Sequence, residues 1–447
     1  MDIIVAAGLG GGSLVYTNVH KRAHSKLFEK GWPEEITALE LDQYYQRVAQ
    51  MLGVGTVPED FKRSHLRLSL LEEAVREDPK SVYQTKKVEK ASLAVRFGRE
   101  GEDFVNEYGA VQRGCNGCGM CIAGCREGAK NTLDLNYLKV AENSGAEIVT
   151  EHEAIAIEQD GRGYKVICRR TKELDQVVFY ADKVVLAAGT LGTNRLLLRC
   201  KHLYKTLPRI SDRLGENFSA NADLFAALLG TSRKIEQSGT SVSALADYWP
   251  KDEFLILEGI LPTALPKQIQ LPIFWLTLLF DYSKQVRNFF RSLGRRPLLK
   301  TISDRQTLLS HVALLFLMGK DASNGSLKID KQGDLQLEWS NQQSLILIRK
   351  MVGAAQEIAK RLDSWLVVNP AWWLKRRLST VHPLGGAAMA DSRDLGVVSA
   401  SGEVFGYPGL YVADGAIIPS ALGVPPSATI AALAERISDK IIGLLDK

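Results

Sequence analysis

No run of 18 apolar residues occurs anywhere in this 447-residue chain, which argues against a membrane-spanning helix. The amino terminus lacks a basic start followed by a long apolar stretch, so no secretory leader is expected and a cytoplasmic setting is. Net charge is small: 56 Lys+Arg stand against 51 Asp+Glu, and the resulting +5 is too mild and too dispersed to imply nucleic-acid binding. No period of 20 to 50 residues repeats and no low-complexity tract appears, which excludes solenoids and linkers. Cysteine is scarce, and four of the six crowd into CNGCGMCIAGC. A disulfide framework is disfavoured in the cytosol. Apolar residues are plentiful at 45%, enough for a sizeable core in either three units of ordinary domain size or a discontinuous two-domain enzyme.

The richest segment runs from His382 to Arg436. Leu410 to Ala413 reads as a short apolar strand that delivers Asp414 and Gly415 to its carboxyl end, where open α/β sheets hold nucleotides. Ile430, Leu433, Ile437, Ile441 and Leu444 then recur at helical spacing behind Pro425 and Pro426, so free amides and a positive dipole end face an anion there. His382 precedes Pro383, which favours an extended backbone, and Gly385 and Gly386 allow a close approach. A histidine so presented can accept a proton near neutral pH.

Lys183 to Ala188 reads as a buried strand running into Gly189, with a helix from Thr193 through Leu198. Asp2 to Ala7 before Gly8, Gly10, Gly11 and Gly12 imitates a dinucleotide fingerprint. The spacing fails, however: Ser13 stands where the third glycine belongs, and polar HKRAHSKLFEKGWPEE follows instead of a second buried strand. Elsewhere the chain reads as mixed α/β. Leu41, Tyr44, Tyr45, Val48, Met51 and Leu52 make a helix face; 151–158, 165–169 and 177–180 are strands; 327–339 is a hairpin about Gln332-Gly333; 344–362 is a long helix. The apolar run 271–280 followed by Lys284, Arg287, Arg291, Arg295 and Arg296 admits either peripheral membrane contact or a buried helix with a solvated basic face.

Cys115, Cys118, Cys121 and Cys125 have the x2, x2, x3 spacing of bacterial ferredoxins, with Gly114, Gly117, Gly119 and Gly124 supplying freedom to wrap a cluster. Arg126 replaces the proline that usually follows. An iron-sulfur cluster, a zinc site and a metal-free turn all remain open on this pattern.

HPLGG, with the strand, DG, PS and helix order after it, resembles the glucose-methanol-choline (GMC) flavoprotein oxidoreductases, cholesterol-oxidase-like branch; REGAKNTLDLNYL is similar to the same branch. The resemblance implies an α/β (α+β) fold with a discontinuous FAD-binding domain (1–25, 110–220 and 375–447) and a sheet-containing substrate domain (26–109 and 221–374). VVLAAGTLGTNRLL then corresponds to the second flavin crossover at Gly189, and 147–157 to the strand beside the adenine, with Ala154 at the contact. GLGGGSLVYTN (Gly10, Gly11, Gly12, Ser13 and Asn18) corresponds to the glycine loop over flavin and pyrophosphate. Asp414, Gly415 and Pro426 complete the implied cofactor contacts. Because that loop lies far downstream in relatives, the comparison implies that the first βαβ unit is absent, on the order of 100 residues, the size of a mononucleotide half. Two consequences are then open: a separate amino-terminal FAD-binding polypeptide completes the fold as a partner, or the chain is an incomplete gene product without activity.

The implied reaction is oxidation of the CH–OH group of an apolar, sterol-like alcohol, with His382 as base and hydride passing to FAD. The alternative is an impaired fragment or an electron-transfer or assembly subunit. Pro425 stands where relatives carry asparagine or a second histidine, so the substrate oxygen loses a hydrogen-bonding partner. The isomerase glutamate of cholesterol oxidases falls near Leu309 or Ser310, with His311 a poor substitute.

Overall fold

The computed structural model describes residues 1–61, 65–75, 81–83, 87–161, 163–260, 310–369, 372 and 377–445. The apolar-then-basic run at 271–296 and Leu309 lie outside them. Among the described residues no helix is long and apolar enough to cross a membrane.

The largest sheet is antiparallel and six-stranded, in the order Trp365–Val368, Leu224–Leu229, Val312–Gly319, Phe254–Gly259, Ala244–Asp247, Lys87–Lys90. Leu224–Leu229 alternates buried and half-buried positions, as a strand with one fully covered face does, whereas Phe254–Gly259 is buried at every position. The helix Leu345–Arg361 supplies Ile348, Met351, Ala355 and Ile358 to one face of this sheet, joined there by Leu70 and Leu71 of the helix His65–Ala74. The Leu345–Arg361 positions repeat at three- and four-residue intervals, so one stripe of that helix is apolar.

Buried within this layer is an ion pair. Arg67 donates to Glu258 Oε2 at 3.0 Å and to the Thr240 carbonyl at 2.6 Å, and Glu258 Oε1 accepts from the Ser243 and Ala244 amides. The side chains are 2% and 7% exposed. Removing one partner strands the other charge in the core.

Smaller elements carry the motifs. Val184–Leu186 pairs in parallel with Leu410–Val412, and Asp2–Ile3 pairs in parallel with Ser379–Thr380. His152–Asp160, Gly163–Arg170 and Gln176–Ala181 form a three-stranded antiparallel sheet. The hairpin Ser326–Ile329 with Leu335–Glu338 turns at Gly333, whose φ of 84° suits glycine.

Three elements depart from the sequence reading: of Lys183 to Ala188, expected as a buried strand, only Val184–Leu186 is strand, with Val185 exposed. The strand expected from Glu147 begins at His152, because Glu151 turns the chain at φ 60° and leaves Ile148 and Val149 exposed; Ala154 lies exposed beside a β-bulge. The helix expected from Thr193 starts at Gly189.

The last long helix, Ser427–Leu445, packs on Ala38–Met51, whose amino end is capped by Thr37 Oγ1 on the Glu40 amide at 3.1 Å. Tyr45 Oη meets Thr429 Oγ1 at 2.8 Å, and buried Arg436 reaches Glu40 at 2.7 Å and Glu35 at 2.9 Å. The two ends of the described chain are thereby fixed to each other.

Replacing Arg67 with leucine should lower the unfolding free energy by about 3–5 kcal/mol, read from the denaturant midpoint, because Glu258 would keep its burial and lose its counter-charge. A loss below about 1 kcal/mol would show that solvent reaches the pair.

Candidate active site

His382 follows the short strand Ser379–Thr380 and is fixed from below by one carboxylate. Asp223 is 2% exposed. Its Oδ2 accepts from the Val381 amide at 2.9 Å and lies 2.9 Å from Thr380 Oγ1, while His382 Nδ1 stands 3.0 Å from Oδ1 and 2.9 Å from Oδ2. The His382 amide is held by Thr380 Oγ1 at 2.9 Å. The imidazole is 21% exposed, and among the described residues Nε2 has no hydrogen-bond partner.

Beyond His382 the backbone runs as a strap over the other motifs. Thr190 Oγ1 donates to the Pro383 carbonyl at 2.7 Å, Asn194 Nδ2 to the Gly385 carbonyl at 3.0 Å, the Gly385 amide to the Gly415 carbonyl at 2.9 Å, and the Ala387 amide to the Ala416 carbonyl at 2.9 Å. The His382 strap, the Gly189 helix start and the Asp414-Gly415 turn therefore meet in one place. Both strap glycines sit at positive φ, 83° and 92°. A Cβ on Gly385 would lie 2.1 Å from the Asn217 carbonyl oxygen, and one on Gly386 would lie 2.3 Å from Asn194 Nδ2. The motif's glycines answer to steric closeness as well as to dihedral freedom.

Asp414 ties the turn to the helix. It is 6% exposed and accepts from Thr193 Oγ1, from the Ala416 amide at 2.8 Å and from the Gly189 amide. Burial pushes its carboxyl up, and those hydrogen bonds oppose the shift. Its donors come from within the protein.

Pro425 and Pro426 are buried ahead of the last helix, in a loop held by Asn221. Asn221 is fully buried; its Nδ2 donates to the Val424 carbonyl at 3.0 Å and its Oδ1 accepts from Leu422 and Gly423 amides at 3.1 and 2.8 Å. The neighbouring Asp321 accepts from Ser219 Oγ and from the Ala220, Ala222 and Ser323 amides. Burial is the foremost influence on Asp321 and raises it, against these four bonds.

The amino-terminal glycine loop forms one tight turn, Gly11–Leu14, with Gly10 at φ 101° and Gly11 at φ 57°. Ser13 is absorbed into the turn, its Oγ donating to the Gly10 carbonyl at 2.6 Å and accepting the Leu133 amide at 3.0 Å. Open space surrounds the Cβ positions of Gly11 and Gly12. Asn18 is 1% exposed, and neither its Nδ2 nor its Oδ1 finds a partner among the described residues. Such an orphaned carboxamide is costly in a finished core and points to a bound polar group. Ser427 Oγ donates to the Val19 carbonyl at 3.4 Å, and Ala431 packs against the cluster containing Tyr16, so this loop lies by the start of the last helix.

Cys115, Cys118, Cys121 and Cys125 line a small cavity together with Asn18 and Lys130. The expected iron-sulfur cluster is not supported. Cys118 is exposed while the others are half-buried, and among the described residues no three His, Cys, Asp or Glu side chains converge tightly enough to hold a metal ion. Spacing placed the thiols on one loop, and all four line the same cavity without converging on a common ligand position among the described residues. Gly119 is pressed against Ile260, and burial pushes the Cys115 thiol up to about 12. Lys130, 2% exposed, binds the carbonyls of Leu14 and Cys121 at 2.6 and 2.8 Å and so ties the cysteine loop to the glycine loop.

Ser310 carries no carboxylate at the position compared with the isomerase glutamate, and His311 Nδ1 lies 2.7 Å from the Thr231 carbonyl. Sequence reasoning missed Asp223, Asn221, Asp321 and Lys130. Asn221 and Asp223, set among alanines just ahead of the apolar run from Leu224, were the one available signal; Lys130 and Asp321 stand in polar sequence.

Lys130 gives a pH signature. Burial draws its ammonium down from 10.5 to about 8, against the pull of Cys121 and Cys125. Between those values the unfolded chain binds a proton that the folded chain does not, so stability from this group rises with pH from about 8 to 10.5, and the penalty is complete below 8. The stability difference between wild type and Lys130→Met should therefore shift toward wild type over that window; a constant difference would place the ammonium in water. Gly386→Ala should cost at least about 1–3 kcal/mol, the range for a strained or overpacked site, and a wild-type melting curve would contradict the contact with Asn194.

The amino-terminal and carboxy-terminal models of the GMC oxidoreductase family match residues 1–219 and 321–434. Cholesterol oxidase of Mycobacterium tuberculosis is 30% identical over 475 residues, covering 97% of this chain and 78% of the relative; that of Acinetobacter baumannii is 29% identical over 479 residues, covering 98% and 81%. Pyridoxine 4-oxidase from Mesorbium loti superposes with a TM-score of 0.59 at 16% identity, covering 96% of this chain and 83% of that one, a likeness of fold. The expected loss of the first βαβ unit receives no support, since the amino-terminal family model is matched over residues 1–219. The chain belongs to the GMC oxidoreductase family, flavoproteins that bind FAD.

Proposed function

We propose that the protein oxidises the CH–OH group of an apolar, sterol-like alcohol, with His382 as the base. The observation that carries this reading is the unpartnered Nε2 of His382, on a strap hydrogen-bonded to the Gly189 helix start and to the Gly415 turn. Cholesterol oxidases at 29–30% identity support the substrate class.

The residues present fit FAD. Orphaned Asn18, the open approach over Gly11 and Gly12, and the first-turn amides of Ser427–Leu445 behind Pro426 would hold its polar parts, with the Gly10–Ser13 turn shaping the loop and Gly189, Asp414 and Gly415 framing the ring. Ala154 would face the adenine. When bound, FAD accepts the hydride of the carbinol carbon. The hydroxyl proton moves to His382 Nε2, which needs a base within about 3 Å of the substrate oxygen. The six-stranded sheet, with residues 26–109 and 221–374 as the substrate-binding domain, would cover the alcohol and exclude water.

Pro425 offers neither amide nor polar side chain, so one hydrogen bond to the substrate oxygen is missing. Such a contact is worth about 1–3 kcal/mol, or roughly one to two decades in rate.

In flavin-loaded protein, His382→Ala should abolish turnover of apolar secondary alcohols and leave the flavin absorbance per chain unchanged. Turnover at the wild-type rate would sink the reading. Pro425→Asn should raise kcat by about 10-fold, the lower end of what one regained hydrogen bond supplies; a fall in kcat would show that the buried loop tolerates only proline there.

A further inference from the structure

We infer that Asp223 is the positioning residue of the catalytic histidine: its carboxylate holds His382 as the Nδ1–H tautomer, leaving Nε2 bare to receive the substrate proton. This rests on the alcohol-oxidation reading above.

The argument begins with the chain path. Asn221 and Ala222 adopt consecutive left-handed conformations, φ 53° and 44°, which turn the backbone so that Asp223 meets residues 380–382 just before the strand Leu224–Leu229 starts. Left-handed alanine is costly, and here it is held by the bond from its amide to Asp321 at 3.1 Å. The chain accepts local strain to deliver one carboxylate to one imidazole.

Burial makes the pairing informative. At 2% exposure a carboxylate costs several kcal/mol of hydration and persists where strong partners replace water. The Thr380 hydroxyl and the Val381 amide are neutral, and a carboxamide oxygen would satisfy both. His382 is the one contact of Asp223 among the described residues that can gain a positive charge. Both carboxylate oxygens lie within 3.0 Å of Nδ1, so the donated proton is shared and the ring plane is fixed. An Nδ1–H donor leaves its lone pair on Nε2, the nitrogen without a partner among the described residues. When Nε2 takes the hydroxyl proton, the imidazolium forms beside a buried negative charge, and the same contact that orients the base stabilises its product.

Three variants of the flavin-loaded enzyme test this. Asp223→Asn should lower kcat on the order of 10²-fold, the span of an impaired general base, while KM moves less than about threefold and bound flavin per chain stays constant. Asp223→Glu should recover part of the loss and Asp223→Ala none. Independently of turnover, ¹⁵N-histidine spectra of the wild-type holoenzyme, with only 7 histidines to resolve and His382→Gln to identify the signal, should show protonated Nδ1 and bare Nε2. In Asp223→Asn the same residue should populate both tautomers.

An Nε2–H tautomer in the wild type overturns the inference even where the variants fail to fold. If His382→Ala abolishes turnover while Asp223→Asn keeps wild-type kcat, positioning by Asp223 is wrong and the alcohol-oxidation reading stands. If His382→Ala leaves turnover intact, that reading itself falls.

Discussion

Desolvation of the polar segment Ser219 to Asp223 is the constraint from which the site's geometry follows. Every residue in it is buried. In that position each polar atom left without a partner costs about 1–3 kcal/mol, so its bonds are obligatory. They run in three directions: Asp223 to the His382 strap, Asn221 to the loop before Pro425, and Ser219, Ala220 and Ala222 to Asp321. Since Leu224–Leu229 continues directly from this segment, the six-stranded sheet, the His382 strap and the proline loop share one origin. A shift of the strap relative to the proline loop would break several buried bonds at once.

That arrangement explains which parts of the protein were legible in its sequence. Strands and helices with a clear period were: the helix Ser427–Leu445, the helix face from Leu41 to Leu52 and the hairpin at Gly333 all follow from alternation or three-and-four spacing. Alternation read a strand at 151–158, whereas the resemblance implied a start at Glu147; the left-handed Glu151 delays the strand to His152, five residues after Glu147. His382 could be singled out because its proline and glycines are neighbours in sequence. Asp223 could not, since it lies 159 residues from the histidine that it touches, and Asn221 lies 203 residues from Val424. Long-range polar pairs leave no periodic trace.

The cysteine loop illustrates the opposite case, where the sequence left a cluster, a zinc site and a metal-free turn open. Its spacing carries a strong local signal, yet whether thiols converge is decided by what the loop packs against. Here the loop is a wall: Lys130 joins it to the glycine turn, Gly239 pairs with it through the Gly117 carbonyl at 2.6 Å, and Ser241 Oγ holds the Gly119 carbonyl at 3.0 Å. Two of these contacts come from the segment leading into Ala244–Asp247, so the loop links the glycine turn to the six-stranded sheet. Gly114 and Gly119 let it fit closely against Arg99 and Ile260, whereas Gly124 faces open space.

Pro425 gives the histidine's fixation its functional weight. In a site where two polar groups meet the substrate oxygen, either can tolerate some disorder, because the other keeps the hydroxyl in register. Under the proposed alcohol oxidation, with buried proline where relatives carry asparagine or a second histidine, orientation of the hydroxyl would fall to His382 alone. A ring free to rotate about its Cβ–Cγ bond, or to exchange tautomers, would then spend much of its time presenting no acceptor. A carboxylate contacting Nδ1 with both oxygens, itself immobilised by Val381 and Thr380, removes both freedoms without adding any group to the substrate side. On this reasoning the loss of the second partner and the rigidity of the first are coupled features of one site.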